Sequence, residues 1–218
     1  MEPAVCLLEF SSIAKGIEAG DAMAKRAPLQ VIRAGTVHPG KYLVLVGGLT
    51  ADVEEAMEAG RAVAGSALVD VVFLPDVHPD VVASIGGARA QDGGEALGVI
   101  ETPTVAATID AADAGVKGAR VTIRDLRLAD DLGGKGYVLF GGEVAEVEAA
   151  VDCGVARAAG LGVSHVVISQ LHDEMRENLE ADPRFGGRIG GVEKAASANG
   201  LPATPFEPTG RPLPGSGA

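Results

Sequence analysis

Tryptophan is absent from this chain, and aromatic residues make up only 3% of it. A deep aromatic core is therefore excluded. The core has to be built from Ala, Val, Leu and Ile, in thin layers with close backbone contacts. Positive charge is scarce as well: 18 Lys and Arg stand against 30 Asp and Glu, for a net charge of −12. A nucleic-acid groove needs clustered Lys and Arg, so nucleic acid is excluded as a partner, and an anionic lipid surface with it. Cysteine occurs twice, as Cys6 in an apolar run and Cys153 in a helical pattern. There is no CxxC and no Cys/His ligand spacing, so both read as small buried hydrophobes in a reducing compartment. No apolar run approaches the ~20 residues of a membrane span. The start MEPAVCLLEF lacks the basic segment of a signal peptide. These absences predict a soluble, cytosolic protein that does not engage membranes.

What is present is a repeat. Shifted by 92 positions, residues 4–27 lie on 96–119, and Ala4, Glu9, Ala14, Ile17, Ala19, Asp21, Ala22, Lys25 and Ala27 each meet an identical residue. Shifted by 94, GKYLVLVGGLTADVEEAMEAGRAVA lies on GKGYVLFGGEVAEVEAAVDCGVARA, with about half the positions identical. The two extra residues fall in the turn before the shared Gly-Lys. The chain of 218 residues is thus a duplicated domain of roughly 100 residues per copy.

Each copy reads alike. VCLLEF and LGVIET are short apolar runs of the kind that form buried strands. Ser11 and Ser12 in one copy, Pro103 and Thr104 in the other, open a first helix. LQVIRAGTV and RVTIRDLRLA predict second strands, KYLVLVGG and KGYVLFGG third strands. The glycine pairs Gly47-Gly48 and Gly141-Gly142 allow a sharp swing into a second helix that begins acidic, as suits a positive helix N-terminus. LVDVVFL and SHVVISQL predict fourth strands, and a short helix follows each. The order is β-α-β-β-α-β, an α+β, ferredoxin-like arrangement: a four-stranded sheet with helices on one face. The expected divisions are 1–88, a linker at 89–95, 96–182, and a Pro/Gly-rich tail at 183–218 that has little to bury.

LGVIET, the helix end AADAGVKGA and the glycine turn followed by VLFGGEVAEVEAAVDCG resemble the bacterial microcompartment shell domain, in its usual order. Two such domains in one chain resemble the tandem, trimer-forming shell proteins. LLEFSSIAKGIEAGDAMAKRA, HPGKYLVLVGG and VHPDVVASIGG make the first copy most similar to the iron–sulfur subtype of propanediol-utilising compartments. The resemblance covers residues 4 to about 180. It implies a structural shell protein without catalysis of its own. Three chains would close into a pseudohexagonal disc that tiles a sheet and passes small metabolites through a central pore. Its partners would be copies of itself, other shell proteins and enclosed enzymes, with no cofactor.

In that family the turn between the second and third strands lines the pore. His38, Pro39 and Gly40 of the first copy, with Leu132, Gly133 and Gly134 of the second, are therefore the expected pore residues. In the resembling subtype the first-copy turn supplies a cysteine that holds a cluster. Neither turn here contains one, so the cluster is not carried over. Three His38 imidazoles round an axis suit either a metal or a charge that appears in mild acid, against the plainer role of a solvated pore lining. Lys25 and Lys117 are repeat-equivalent at the end of the first helix. There a cation suits the helix C-terminus, and the resemblance puts it at the edge between discs. His78 and His172 also share one repeat position, which favours a structural or edge role. His165, in SHVVIS, reads as a partly buried histidine. Glu9 and Glu101 recur in both copies, and that symmetry favours fold maintenance over acid–base work. GGKG and GGRIGG lack the spacing of a phosphate loop. Two rival readings remain: a ligand-binding sensor trimer on the same topology, and an electron-relay or metal-binding shell subunit.

Overall fold

A computed structural model describes residues 4–90, 94–158, 160 and 162–181. The tail from 183, GGRIGG within it and the centre of the 89–95 linker lie outside the described residues. Contacts divide the chain into two units, Met1–Leu171 and His172–Ala218. The first unit holds both repeats.

The first repeat runs β1 (Ala4–Phe10), α1 (Ile13–Arg26), β2 (Val31–Val37), β3 (Lys41–Gly48), α2 (Thr50–Ala64), β4 (Leu68–Leu74) and α3 (Pro79–Ile85). The second runs β5 (Ala96–Thr102), α4 (Val105–Gly118), β6 (Thr122–Leu128), β7 (Gly136–Gly142), α5 (Val144–Arg157) and β8 (Ser164–Ile168). The sheets are ordered β2-β3-β1-β4 and β6-β7-β5-β8, and every pairing is antiparallel. This is the βαββαβ order the repeat predicts, built twice.

The predicted caps are in place. Ser12 Oγ accepts from Lys15 N at 3.4 Å, and Thr104 Oγ1 accepts from Ala107 N at 3.2 Å. Each satisfies an N–H that has no partner within its own helix. In the second unit α6 (Asp173–Glu180) follows His172, as α3 follows His78. Each histidine caps its helix, Nδ1 accepting from the backbone N of Asp80 or Glu174 at 3.3 Å. Pro79 takes the first position of α3, where a missing N–H costs nothing.

Alternation along β1 divides its side chains. Cys6, Leu8 and Phe10 point into a core shared with Ala19, Met23, Val44 and Val53, under α1 and α2. Val5 and Leu7 point the other way and join a second core with Val72, Leu74, Val105, Ile109 and Phe140. The two longer helices lie on one face, as expected, but α3 of the same repeat lies over the other, against Val5 and Leu45. In the chain, α4 of the second repeat packs against β4 and β1 of the first. The back of the first sheet is a junction between repeats, and burial of apolar side chains from both copies stabilises it.

Burial also fixes the chemistry of Cys6. It pushes the thiol up to about 12, so the thiolate that reacts or binds metal does not form at neutral pH. His165 departs from expectation. It is exposed on the edge strand β8.

Candidate functional site

The two glycine turns lie side by side. The first joins β2 to β3 through His38, Pro39 and Gly40; the second joins β6 to β7 and includes Leu132, Gly133 and Gly134. His38, Pro39 and Gly40 are exposed, Leu132 is half-buried, and Gly134 is buried. Glycine serves two purposes here. Gly40 has φ +103 in open space, so backbone conformation alone demands it. Gly134 has φ +83, and a Cβ built on it would also lie 3.0 Å from Pro39 Cδ. A side chain at that position would crowd Pro39 and Lys41 of the first repeat.

The tie between the turns starts from a buried carboxylate. Glu9 is fully buried on β1. Its Oε1 accepts from Lys41 Nζ at 2.5 Å, and its Oε2 accepts from the backbone N of Val105 at 2.8 Å, at the first residue of α4. Lys41 Nζ also donates to the carbonyl of Gly134 at 3.4 Å. One carboxylate and one lysine of the first repeat thus hold the helix N-terminus and the turn of the second. The charge is buried but paired, and the positive end of α4 adds to its stabilisation. Further ties follow: Thr104 Oγ1 donates to Asp70 Oδ2 at 2.5 Å, and Asp113 Oδ1 accepts from His78 N at 2.8 Å.

Lys117 belongs to the same junction. Its Nζ pairs with Asp113 Oδ2 at 2.7 Å and donates to the carbonyl of Asp76, and its side chain remains 39% exposed. Its repeat mate Lys25 pairs, among the described residues, with Asp21 on its own helix and is 74% exposed. Sequence reasoning marked both lysines and both aspartates as recurrent but missed Asp113, Asp70 and Thr104 as junction residues. The identity of Asp21 with Asp113 was the available signal.

Among the described residues of one chain, no three His, Cys, Asp or Glu side chains come together as a metal set. A His38 set would require three chains. A cluster held by turn thiolates does not fit this chain, since Cys6 lies in β1 and Cys153 in α5. A cavity of about 140 Å³ between α3 and the first sheet is lined by Val5, Leu45, Gly47, Val82 and Ile85, among others. None of its lining residues is charged, and Gln30 is the one with a polar side chain. No helix among the described residues is long and apolar enough to cross a membrane.

These features define a class: a tandem βαββαβ protein whose domains pack edge against edge and bring their β2–β3-type turns together. The BMC domain model matches residues 4–77 and 96–171, and the chain belongs to that family. The bacterial microcompartment shell protein PduT of Citrobacter freundii is 41% identical over 177 residues, 80% of this chain and 96% of that protein. The shell protein EutM of Salmonella typhimurium is 41% identical over 85 residues, 38% of this chain and 86% of its own. A crystal structure of a microcompartment protein from Desulfitobacterium hafniense DCB is 40% identical, with a TM-score of 0.71 over 81% of this chain and 99% of that one.

Proposed function

We propose that this chain is a structural shell protein of a bacterial microcompartment, and that three copies close into a tile with a narrow hole on its axis. One observation carries the reading that further copies of the chain dock onto this one. Within the chain, one side of the second domain packs against the first, while the matching side of the first domain is left bare. Val105 and Ile109 on α4 are fully buried against the first domain, whereas Ile13 and Ile17, their counterparts on α1, are 42% and 54% exposed. The complementary surface is bare as well: Val72 on β4 is 5% exposed and its counterpart Val166 on β8 is 47% exposed. A head-to-tail contact of this kind must close into a ring or run on as a filament. Closure after three chains gives six domains, in keeping with the pseudohexagonal disc that the family resemblance implies.

In this tile His38, Pro39 and Gly40 alternate with Leu132, Gly133 and Gly134 around the hole, so the lining has threefold symmetry. Its partners are its own copies, other shell proteins and enclosed enzymes. Sedimentation velocity across the micromolar range tests the reading. A single species of three chains is expected; a stable monomer or dimer overturns it.

Lys25 tests the tile edge. The sequence places Lys117 and His78 at the rim as well, but the structure ties both into the junction between repeats, through the Asp76 carbonyl and Asp113; Lys25 and His172 therefore carry the rim proposal. Lys25→Asp should leave the trimer intact and abolish extended sheets in negative-stain images. Loss of the trimer would instead place Lys25 in the chain-to-chain junction, as Lys117 lies in the junction within the chain.

A further inference from the structure

Within the chain, the junction between repeats has a polar centre made of Glu9, Lys41, the Val105 N–H and the Gly134 carbonyl. The second repeat carries the same two side chains at the same places. Glu9 pairs with Leu43 across β1 and β3, and Glu101 pairs with Tyr137 across β5 and β7, which puts the two carboxylates at one register position. Lys41 opens β3 and Lys135 directly precedes β7; Val105 opens α4 and Ile13 opens α1.

Their surroundings differ. The side chains of Glu9 and Lys41 are 0% and 21% exposed, against 44% and 57% for Glu101 and Lys135. Glu101 holds Lys135 at 2.9 Å, but no helix N-terminus lies on the pair. The pair is assembled and faces outward, next to the apolar Val166, while Ile13 is exposed at the start of α1.

We infer that Glu101 and Lys135 form a latch onto a second copy of this chain: Glu101 accepts the N–H of the partner's Ile13, and Lys135 donates to the carbonyl of the partner's Gly40. The inference rests on the three-chain reading and goes beyond it, because it ties ring closure to the turn that carries His38. The first turn has no latch of its own within the chain. Lys41 reaches from the first repeat to the second turn, and by the same geometry Lys135 reaches from the second repeat to the partner's first turn. Lys135 is therefore a positioning residue for the pore.

The two junctions are not identical. Asp70, which accepts a hydrogen bond from the Thr104 hydroxyl within the chain, stands opposite Glu9; its counterpart opposite Glu101 is Ser164. The chain-to-chain junction lacks that carboxylate, so a larger share of its polar specificity falls to Glu101 and Lys135. Side chains this exposed contribute little to the stability of one chain by themselves. They become strong once covered, as hydrogen bonds to charged groups in a desolvated contact do.

The test uses the full chain. Trimers carrying donor and acceptor dyes are mixed, and subunit exchange is followed by energy transfer for wild type, Glu101→Gln and Lys135→Met. Hydrogen exchange of the peptide spanning 36–41 is measured on the same samples. Both variants should exchange subunits at least about tenfold faster, since loss of a charge-assisted bond shifts an equilibrium by about that factor or more. Lys135→Met should also speed hydrogen exchange at the first turn while the protein is still trimeric. Exchange rates equal to wild type, or an unaltered first turn in Lys135→Met, would overturn the latch and leave the three-chain reading standing. A wild type that sediments as a monomer would overturn both.

Discussion

Ile17→Asp should convert the proposed three-chain ring into a folded monomer. Ile17 lies 54% exposed on α1, whereas Ile109, the identical residue of the second repeat, is fully buried where α4 packs against the first domain. A large apolar side chain that one copy buries and the other leaves bare marks a missing neighbour rather than a loose core. Burying an isoleucine contributes roughly 1.5–3 kcal/mol. An aspartate at that place removes this term and adds the cost of an unpaired carboxylate in an apolar contact, several kcal/mol more. A ring repeats the loss at every junction. Sedimentation velocity at micromolar concentration should show a single chain. The far-ultraviolet circular dichroism should be unchanged, because an exposed helix position is worth only about 0.5 kcal/mol to the isolated fold. A variant that remains trimeric would show that α1 does not face a second chain.

Glu9→Ala should destabilise the single chain far more than the equivalent truncation in the second repeat. It leaves Lys41, at 21% exposure, without its counter-charge, and it leaves the first N–H of α4 without an acceptor. Removing one partner of a buried ion pair costs about 3–5 kcal/mol, a large part of the roughly 5–15 kcal/mol that holds a domain together. The repeat supplies its own control. Glu101→Ala removes an equivalent carboxylate whose pair with Lys135 is half exposed, and in a single chain such a pair contributes about 1 kcal/mol or less. Urea unfolding in the Ile17→Asp background, where no second chain covers Glu101, compares the two directly. A midpoint for Glu9→Ala no lower than that of Glu101→Ala would show that Glu9 does not organise the junction.

Much of the architecture was legible in the residues. The duplication, the βαββαβ order and the caps at Ser12 and Thr104 all depend on neighbours a few positions away, and local rules reached them. The two extra residues of the second turn were also visible as a change of repeat offset. A further difference was not. β6 carries a bulge between Ile123 and Asp125 that β2 lacks, and it is hidden because the residue it adds to the strand is offset by a shorter approach from the helix.

What the sequence determined by itself is therefore what each copy forms: the strands, helices, caps and turns, and the pairs of equivalent residues across the repeat. What only the tertiary structure decided is which member of each pair is covered. Glu9 is buried and Glu101 half exposed; Val105 is buried and Ile13 exposed; Val72 is buried and Val166 exposed. Equivalent residues have equal local preferences, so no reading of periodicity or composition separates them. The separation comes from chain connectivity. One domain edge meets a neighbour within the chain and the other does not, and the same side chains then become core in one place and open surface in the other.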